Sequence, residues 1–199
     1  MSGSLIVISG PSGVGKGTIC EKLLQDVEGL HFSVSATTRP PRKGEKEGKN
    51  YFFLDRETFV NKIESGSFLE WARVFDNYYG TPKEAVFDIM AHGDDVLLEI
   101  DVQGAMQIKA NYPGAVFIFV SPPSLDELRK RIIGRGTESP ESIRKRTKIA
   151  EEEIKLYKEY DYLIINDVLD EAVESVSKII FAERCRVNRY PDFCELIKK

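Results

Sequence analysis

The sequence predicts an α/β fold in which a parallel sheet is flanked by helices and two segments interrupt the core. Three observations carry that expectation. Short, unbroken apolar runs alternate with longer stretches of helical periodicity; a glycine-rich loop joins the first run to the first helix; and two segments rich in Pro, Gly and charge break the alternation. Unbroken apolar runs suit strands buried on both faces, and repeated strand, helix, strand order gives the α/β class.

In chain order, the expected strands are LIVIS (5–9), FSVSA (32–36), VLLEID (96–101), AVFIFV (115–120) and YLIIN (162–166). Helical patterns occupy about 16–27, 102–110, 124–134, 141–158 and 169–188. The first interruption opens with TTRPPRKGEKEGKN (37–50) and runs through aromatic segments to Tyr79, with short strands of its own and a helix near 56–64. The second, GRGTESPES (134–142), joins two Arg-bearing helices and reads as a lid. The expected division is a core of 1–36, 82–134 and 143–187, an inserted lobe at 37–81, a lid at 135–142 and a tail at 188–199 that no pattern explains.

A chain of 199 residues with 42% hydrophobic content supports one buried core and a small appended lobe. Its net charge of -4 gives no global field for nucleic acid or an anionic membrane, so any anion must be gripped locally. Three cysteines (Cys20, Cys185, Cys194), with no CxxC and no histidine at ligand spacing, argue against a disulfide framework or zinc site. The apolar run Leu5 to Ile8 lacks a preceding basic region and reads as a strand rather than a signal peptide. No run is long enough to span a membrane, so the expected compartment is cytoplasmic. Monomer and homodimer remain equally open.

Residues Gly10, Pro11, Ser12, Gly13, Val14, Gly15, Lys16, Gly17 and Thr18 spell a P-loop after an apolar strand and before a helix. The glycines let successive N–H groups point at phosphate oxygens, the helix presents its positive end, and Lys16 reaches the β- and γ-phosphates of a nucleoside triphosphate. Gly17 stands where this motif commonly has a Ser or Thr for magnesium, so Mg²⁺ is expected to be held by Thr18 or through water. Asp101, closing the run VLLEID, is a second candidate for a magnesium-bound water, and strand alternation would put Glu99 on its face. The plainer reading pairs both carboxylates with neighbouring arginines.

Arg39 and Arg42 flank two prolines in TTRPPR, an arrangement that lets both guanidinium forks meet one monophosphate, with Tyr51 or Tyr79 completing the grip. A solvated basic loop is the other reading of that spacing. The strings FSVSATTRPPRKGEKEGKNYFF, FLEWARVFDNYYGTP, VLLEIDVQGA and RIIGRGTESPESIRKR, in that order, resemble the guanylate kinase family over residues 4 to about 187. The resemblance implies a P-loop kinase core with an inserted GMP-binding lobe and a small lid, and the reaction of ATP with GMP, and with dGMP, to give ADP and the nucleoside diphosphate. It implies that Ser35, Glu70 and Thr81 contact the base, that Arg39, Arg42, Tyr51 and Tyr79 hold the acceptor phosphate, that Glu99 lies at the guanine end, and that Gly80 and Asp101 belong to the same GMP-binding set. Relatives often carry Ser at the position of Thr81 and Asp at that of Glu99. Chemically, a carboxylate such as Glu70 accepts from guanine N1–H and the N2 amino group together, while the hydroxyls of Ser35 and Thr81 donate to O6. Adenine presents an acceptor at N1 instead.

Arg131 and Arg135 share a helix face, Arg146 comes from the next helix, and the resemblance sends all three to the ATP phosphates or adenine. Surface salt bridges with Glu127, Glu138 and Glu141 are the alternative. Asn166 and Asp167, after YLII, match positions near adenine. The expected chemistry is in-line phosphoryl transfer with no covalent nucleophile and no general base, because the acceptor phosphate is already largely ionised near neutrality. A catalytically silent scaffold with this fold, and a kinase for AMP or a pyrimidine nucleotide, are the competing expectations. The intact P-loop speaks against the first and the Glu70 set against the second.

Overall fold

The structure, a computed structural model, describes residues 2–42, 44–74, 76–133, 140–190, 193–196 and 198. Five strands form a parallel sheet: β1 (Leu5–Ser9), β2 (Leu30–Phe32), β7 (Asp95–Glu99), β8 (Val116–Ser121) and β9 (Tyr162–Ile165), in the order β2-β7-β1-β8-β9. Strand periodicity explains why the central runs are unbroken. Ile6 and Ile8 of β1 enter one core with Leu97, Val116 and Ile118, whereas Leu5 and Val7 enter another with Val96, Leu98 and Phe117. Helices α1 (Lys16–Asp26) and α7 (Leu169–Arg184) cover the first face through Ile19, Leu23, Val173, Val176 and Ile180. Helices α3 (Lys83–Ala91) and α4 (Val102–Asn111) cover the second through Val86, Met90, Ala105 and Ile108. Strand β1 thus sends its helix to one face and β7 sends its helix to the other, which opens a crevice at their C-terminal ends.

The second sheet has the order β4-β3-β6-β5, built from β3 (Ala36–Thr37), β4 (Phe52–Phe53), β5 (Phe68–Val74) and β6 (Asn77–Pro82). Its small core stacks Phe59 of α2 (Arg56–Glu64) between Phe68 and Tyr78, at centroid distances of 4.5 and 5.5 Å. Asp55 caps α2 by accepting from Thr58 N at 2.8 Å. The lobe is tied to the main sheet through α4, where Gln107 accepts from Trp71 N at 3.2 Å. Helices α5 (Leu125–Ile133) and α6 (Pro140–Lys155) pack on each other through Leu128, Ile132 and Ala150.

The expected strand 32–36 is two strands in different sheets: β2 ends at Phe32 and β3 begins at Ala36. The expected strand 96–101 ends at Glu99, because Asp101 leaves the sheet to cap α4. Helix α3 was not anticipated. The lid expected at 135–142 lies mostly outside the described residues. The unexplained tail begins within a 3₁₀ turn, Val187–Arg189, whose Arg189 is buried.

Candidate active site

The P-loop follows β1 directly. Gly15 adopts φ 97° and precedes α1, which has no side-chain cap and no acidic residue in its first turn. The first-turn N–H groups therefore remain for an anion, with the helix dipole behind them. A side chain at Gly15 is also barred by contact, since its Cβ would meet Asn166 Nδ2 at 2.6 Å. Lys16 Nζ donates to the carbonyls of Gly10 at 2.6 Å and Pro11 at 3.2 Å. Burial lowers the Lys16 pKa, and the charges of Glu99, Glu153 and Asp101 oppose that shift.

Two of the three lid arginines reach this loop. Arg131 Nη1 donates to Asn166 O at 3.0 Å and to Val14 O at 3.4 Å, while its Nε pairs with Glu127 at 3.1 Å. The salt bridge to Glu127 is the surface pairing expected of Arg131, while its Nη1 edge lies against the P-loop and the end of β9. Asn166 Nδ2 donates to Val14 O at 2.8 Å, and Arg146 Nη2 donates to Ser12 Oγ. Arg135 lies outside the described residues.

A cavity of about 240 Å³ lies between the two sheets, lined by Ser35, Tyr51, Glu70, Tyr79, Gly80, Glu99 and Asp101, with Ala72, Val74 and Ile100 as its apolar wall. Residues spread over 67 positions of sequence (35 to 101) are gathered there because β3, β5, β6 and the end of β7 converge on one crevice. Glu70 is 8% exposed, and burial pushes its carboxyl up to about 6 despite a hydrogen bond from Thr81. Thr81 Oγ1 donates to Glu70 Oε1 at 2.6 Å. A hydroxyl has one proton, so Thr81 here orients the carboxylate rather than donating to a base oxygen. A larger groove of about 660 Å³ separates α4 from α6, but its walls are Val102, Met106, Ile149 and Leu156 with charged side chains at the margin. Its polar groups, Gln103, Glu152 and Glu153 among them, are not buried carboxylates like Glu70, so the smaller cavity is the acceptor candidate.

The expected convergence of the Arg39 and Arg42 forks is not seen. Arg39 pairs with both oxygens of Glu45, Nη2 to Oε1 at 2.9 Å and Nη1 to Oε2 at 3.0 Å, and lies over the Tyr51 ring at 5.5 Å. Arg42 reaches the same carboxylate through its backbone N–H at 2.7 Å, and its side chain is exposed. Hydrogen bonds from Arg39 and the Arg42 amide hold the Glu45 carboxyl below its ordinary pKa. The prolines fix a tight turn around one carboxylate, which spacing alone could not reveal.

Glu99 pairs in register with Ile8 of β1, and its Oε2 lies 3.5 Å from where a Cβ on Gly17 would stand. The place of the missing P-loop hydroxyl is thus bordered by a carboxylate. Thr18 is exposed on α1, and Asp101 Oδ1 is engaged with Gly104 N at 2.7 Å. Among the described residues no group of three or more His, Cys, Asp or Glu side chains is placed to hold a metal ion. Sparse oxygen donors beside a phosphate cradle fit Mg²⁺, which keeps several waters and binds mainly to substrate phosphates.

The guanylate kinase family model matches residues 2–183. The chain belongs to the guanylate kinase family. It is 57% identical over 190 residues to the guanylate kinase of Caldanaerobacter subterraneus subsp. tengcongensis, covering 96% of this chain and 92% of that one. It is 52% identical over 197 residues to the guanylate kinase of Clostridium tetani, covering 99% and 94%. The crystal structure of guanylate kinase from Anaplasma phagocytophilum is similar with a TM-score of 0.75 and 40% identity, covering 94% and 89% of the two chains. Two residues around this guanylate kinase site escaped the sequence reading. Glu45 was hidden in a charged run, six residues after Arg39. Glu153, which acts on Lys16 and Asp101, stands seven residues after Arg146 in α6, a spacing of two helical turns that returns it to the same face.

Proposed function

We propose that the protein transfers the γ-phosphate of ATP to GMP, with the P-loop and α1 as donor site and the cavity around Glu70 as acceptor site. The observation that carries this reading is the pairing of a phosphate cradle with a separate polar cavity holding a buried carboxylate, on either side of the β1–β7 crevice. Lys16 and the first-turn amides of α1 take the donor phosphates, and Arg131 and Arg146, seated on the loop, add positive charge to the transferring group. Arg135 is assigned the same part by likeness to the family. In the acceptor cavity Glu70 accepts from guanine N1–H and the N2 amino group, Thr81 holds Glu70 in place, and Ser35 supplies a hydroxyl for O6. Tyr51, Tyr79 and the Arg39 and Arg42 turn receive the acceptor phosphate, and Asn166 stands at the adenine side.

Thr18, Glu99 and Asp101 would hold Mg²⁺ directly or through water, and the ion would supply positive charge to offset that of the ATP phosphates. Attack comes from an acceptor phosphate oxygen that needs no base. No helix among the described residues is long and apolar enough to cross a membrane, and three free cysteines fit a reducing, cytoplasmic setting. The deciding experiment measures ADP release with GMP, dGMP, AMP, CMP and UMP in parallel. GMP and dGMP are expected as substrates, with turnover lost when EDTA removes Mg²⁺. Preference for AMP would overturn the acceptor assignment, and no turnover with any nucleotide would favour a silent scaffold.

A further inference from the structure

We infer that Gly104 is a specificity-determining position of the acceptor site, kept free of a side chain so that the carboxylates of Glu70 and Asp101 close on one end of the cavity. The inference rests on assigning that cavity to GMP. Gly104 is buried in the first turn of α4, three residues after the capping Asp101, and its N–H is donated to Asp101 Oδ1 at 2.7 Å. A Cβ built on it would lie 3.3 Å from Glu70 Oε2, 3.4 Å from Asp101 Oδ1 and 3.5 Å from Ile100 Cδ1. Two carboxylates, one from β5 and one from the N-cap of α4, thus reach the same methylene-sized space.

Nothing in the backbone requires glycine there. Gly104 is absent from the positive-φ glycines, and within a helix glycine is a weaker former than alanine. The residue therefore sacrifices local helix stability, and the adjacent carboxylates account for the loss. Neither neighbour yields freely. Glu70 Oε1 is fixed by Thr81 at 2.6 Å, and Asp101 cannot withdraw without giving up its cap on α4. A methyl group would displace Glu70 Oε2 by a few tenths of an ångström, or twist the carboxylate out of the plane needed to accept two adjacent donors.

The test uses the chain's single tryptophan, Trp71, which adjoins Glu70, as a fluorescent reporter of GMP binding. Gly104→Ala and Gly104→Ser are titrated with GMP and with ATP, and their thermal unfolding is recorded. The expected result is GMP affinity weakened on the order of tenfold, ATP affinity unchanged, and a melting temperature for Gly104→Ala at or above that of the parent. A purely structural role would instead lower the melting temperature and weaken both ligands together. Undiminished GMP binding by Gly104→Ala overturns the inference while leaving the cavity assignment intact. Failure of the parent protein to bind GMP overturns both.

Discussion

In the proposed acceptor site Glu70 would accept guanine's two donors only when ionised, and burial has already raised its carboxyl to about 6 from an ordinary 4.5. Protonation therefore sets in as the pH falls through about 6, and GMP affinity is lost on the acid side, by about tenfold for each further pH unit. The acceptor phosphate titrates near the same pH, so the comparison that isolates Glu70 is the slope of log kcat/KM for GMP between pH 7 and 5. The parent should fall more steeply than Glu70→Gln, by about one unit of slope; equal slopes would remove Glu70 from the titration. At this scale the sequence was uneven. Lys16 and its glycines were legible because the motif is contiguous and its neighbours are strand and helix. Glu70 beside Trp71 carries no local signal, and only likeness to the family singled it out. The Arg39–Glu45 pair was illegible because a charged loop can fold its ions onto each other or onto a ligand with the same spacing.

Among the elements, the N-terminal end of β7 carries a second kind of charge. Asp95 is 1% exposed and accepts from Ser4 N at 2.7 Å, Arg184 Nε at 2.7 Å and Arg189 Nη2 at 2.8 Å. This carboxylate joins β1, α7 and the 3₁₀ turn after α7, which explains why the tail beyond α7 turns back onto the sheet. Asp95→Ala leaves the buried Arg189 charge unpaired and should cost about 3–5 kcal/mol in urea unfolding. Asp95 and Glu99 sit at opposite ends of β7, so KM for GMP in the folded variant should be unchanged; a loss under 1 kcal/mol would contradict the clasp. Elements bounded by caps were the easiest to foresee: α2, with Asp55 before it, was expected at the limits it has. Helix α3 follows Pro82 and buries only Val86 and Met90, too thin a stripe to stand out from the aromatic segment before it. The break inside FSVSA was invisible because the alternation of apolar and polar residues runs unbroken from Phe32 to Ala36 and does not reveal which sheet each end joins.

For the molecule as a whole, strand order placed the two halves of the reaction on one edge. The phosphate cradle of the donor half is local in sequence, from Gly10 to Thr18, and Arg131, Arg146 and Asn166 reach it from elsewhere in the chain. The acceptor half is assembled from Ser35 to Asp101 and depends on the lobe being docked against α4 through Gln107. The sequence therefore announced a triphosphate site outright, whereas the acceptor became physical only when β3, β5, β6 and β7 met. On the proposed assignment, specificity for guanine resides in that assembled half, chiefly in the buried carboxylate of Glu70 that the Thr81 hydroxyl orients. The most direct measurement is the ratio of kcat/KM for GMP over AMP, with saturating ATP and Mg²⁺, in the parent and in Glu70→Gln. The parent is expected to favour GMP by about 10³-fold or more, and Glu70→Gln to lose most of that preference, with ATP affinity unaltered. A parent that uses AMP as readily as GMP, or a Glu70→Gln variant that keeps the full preference, would contradict the account.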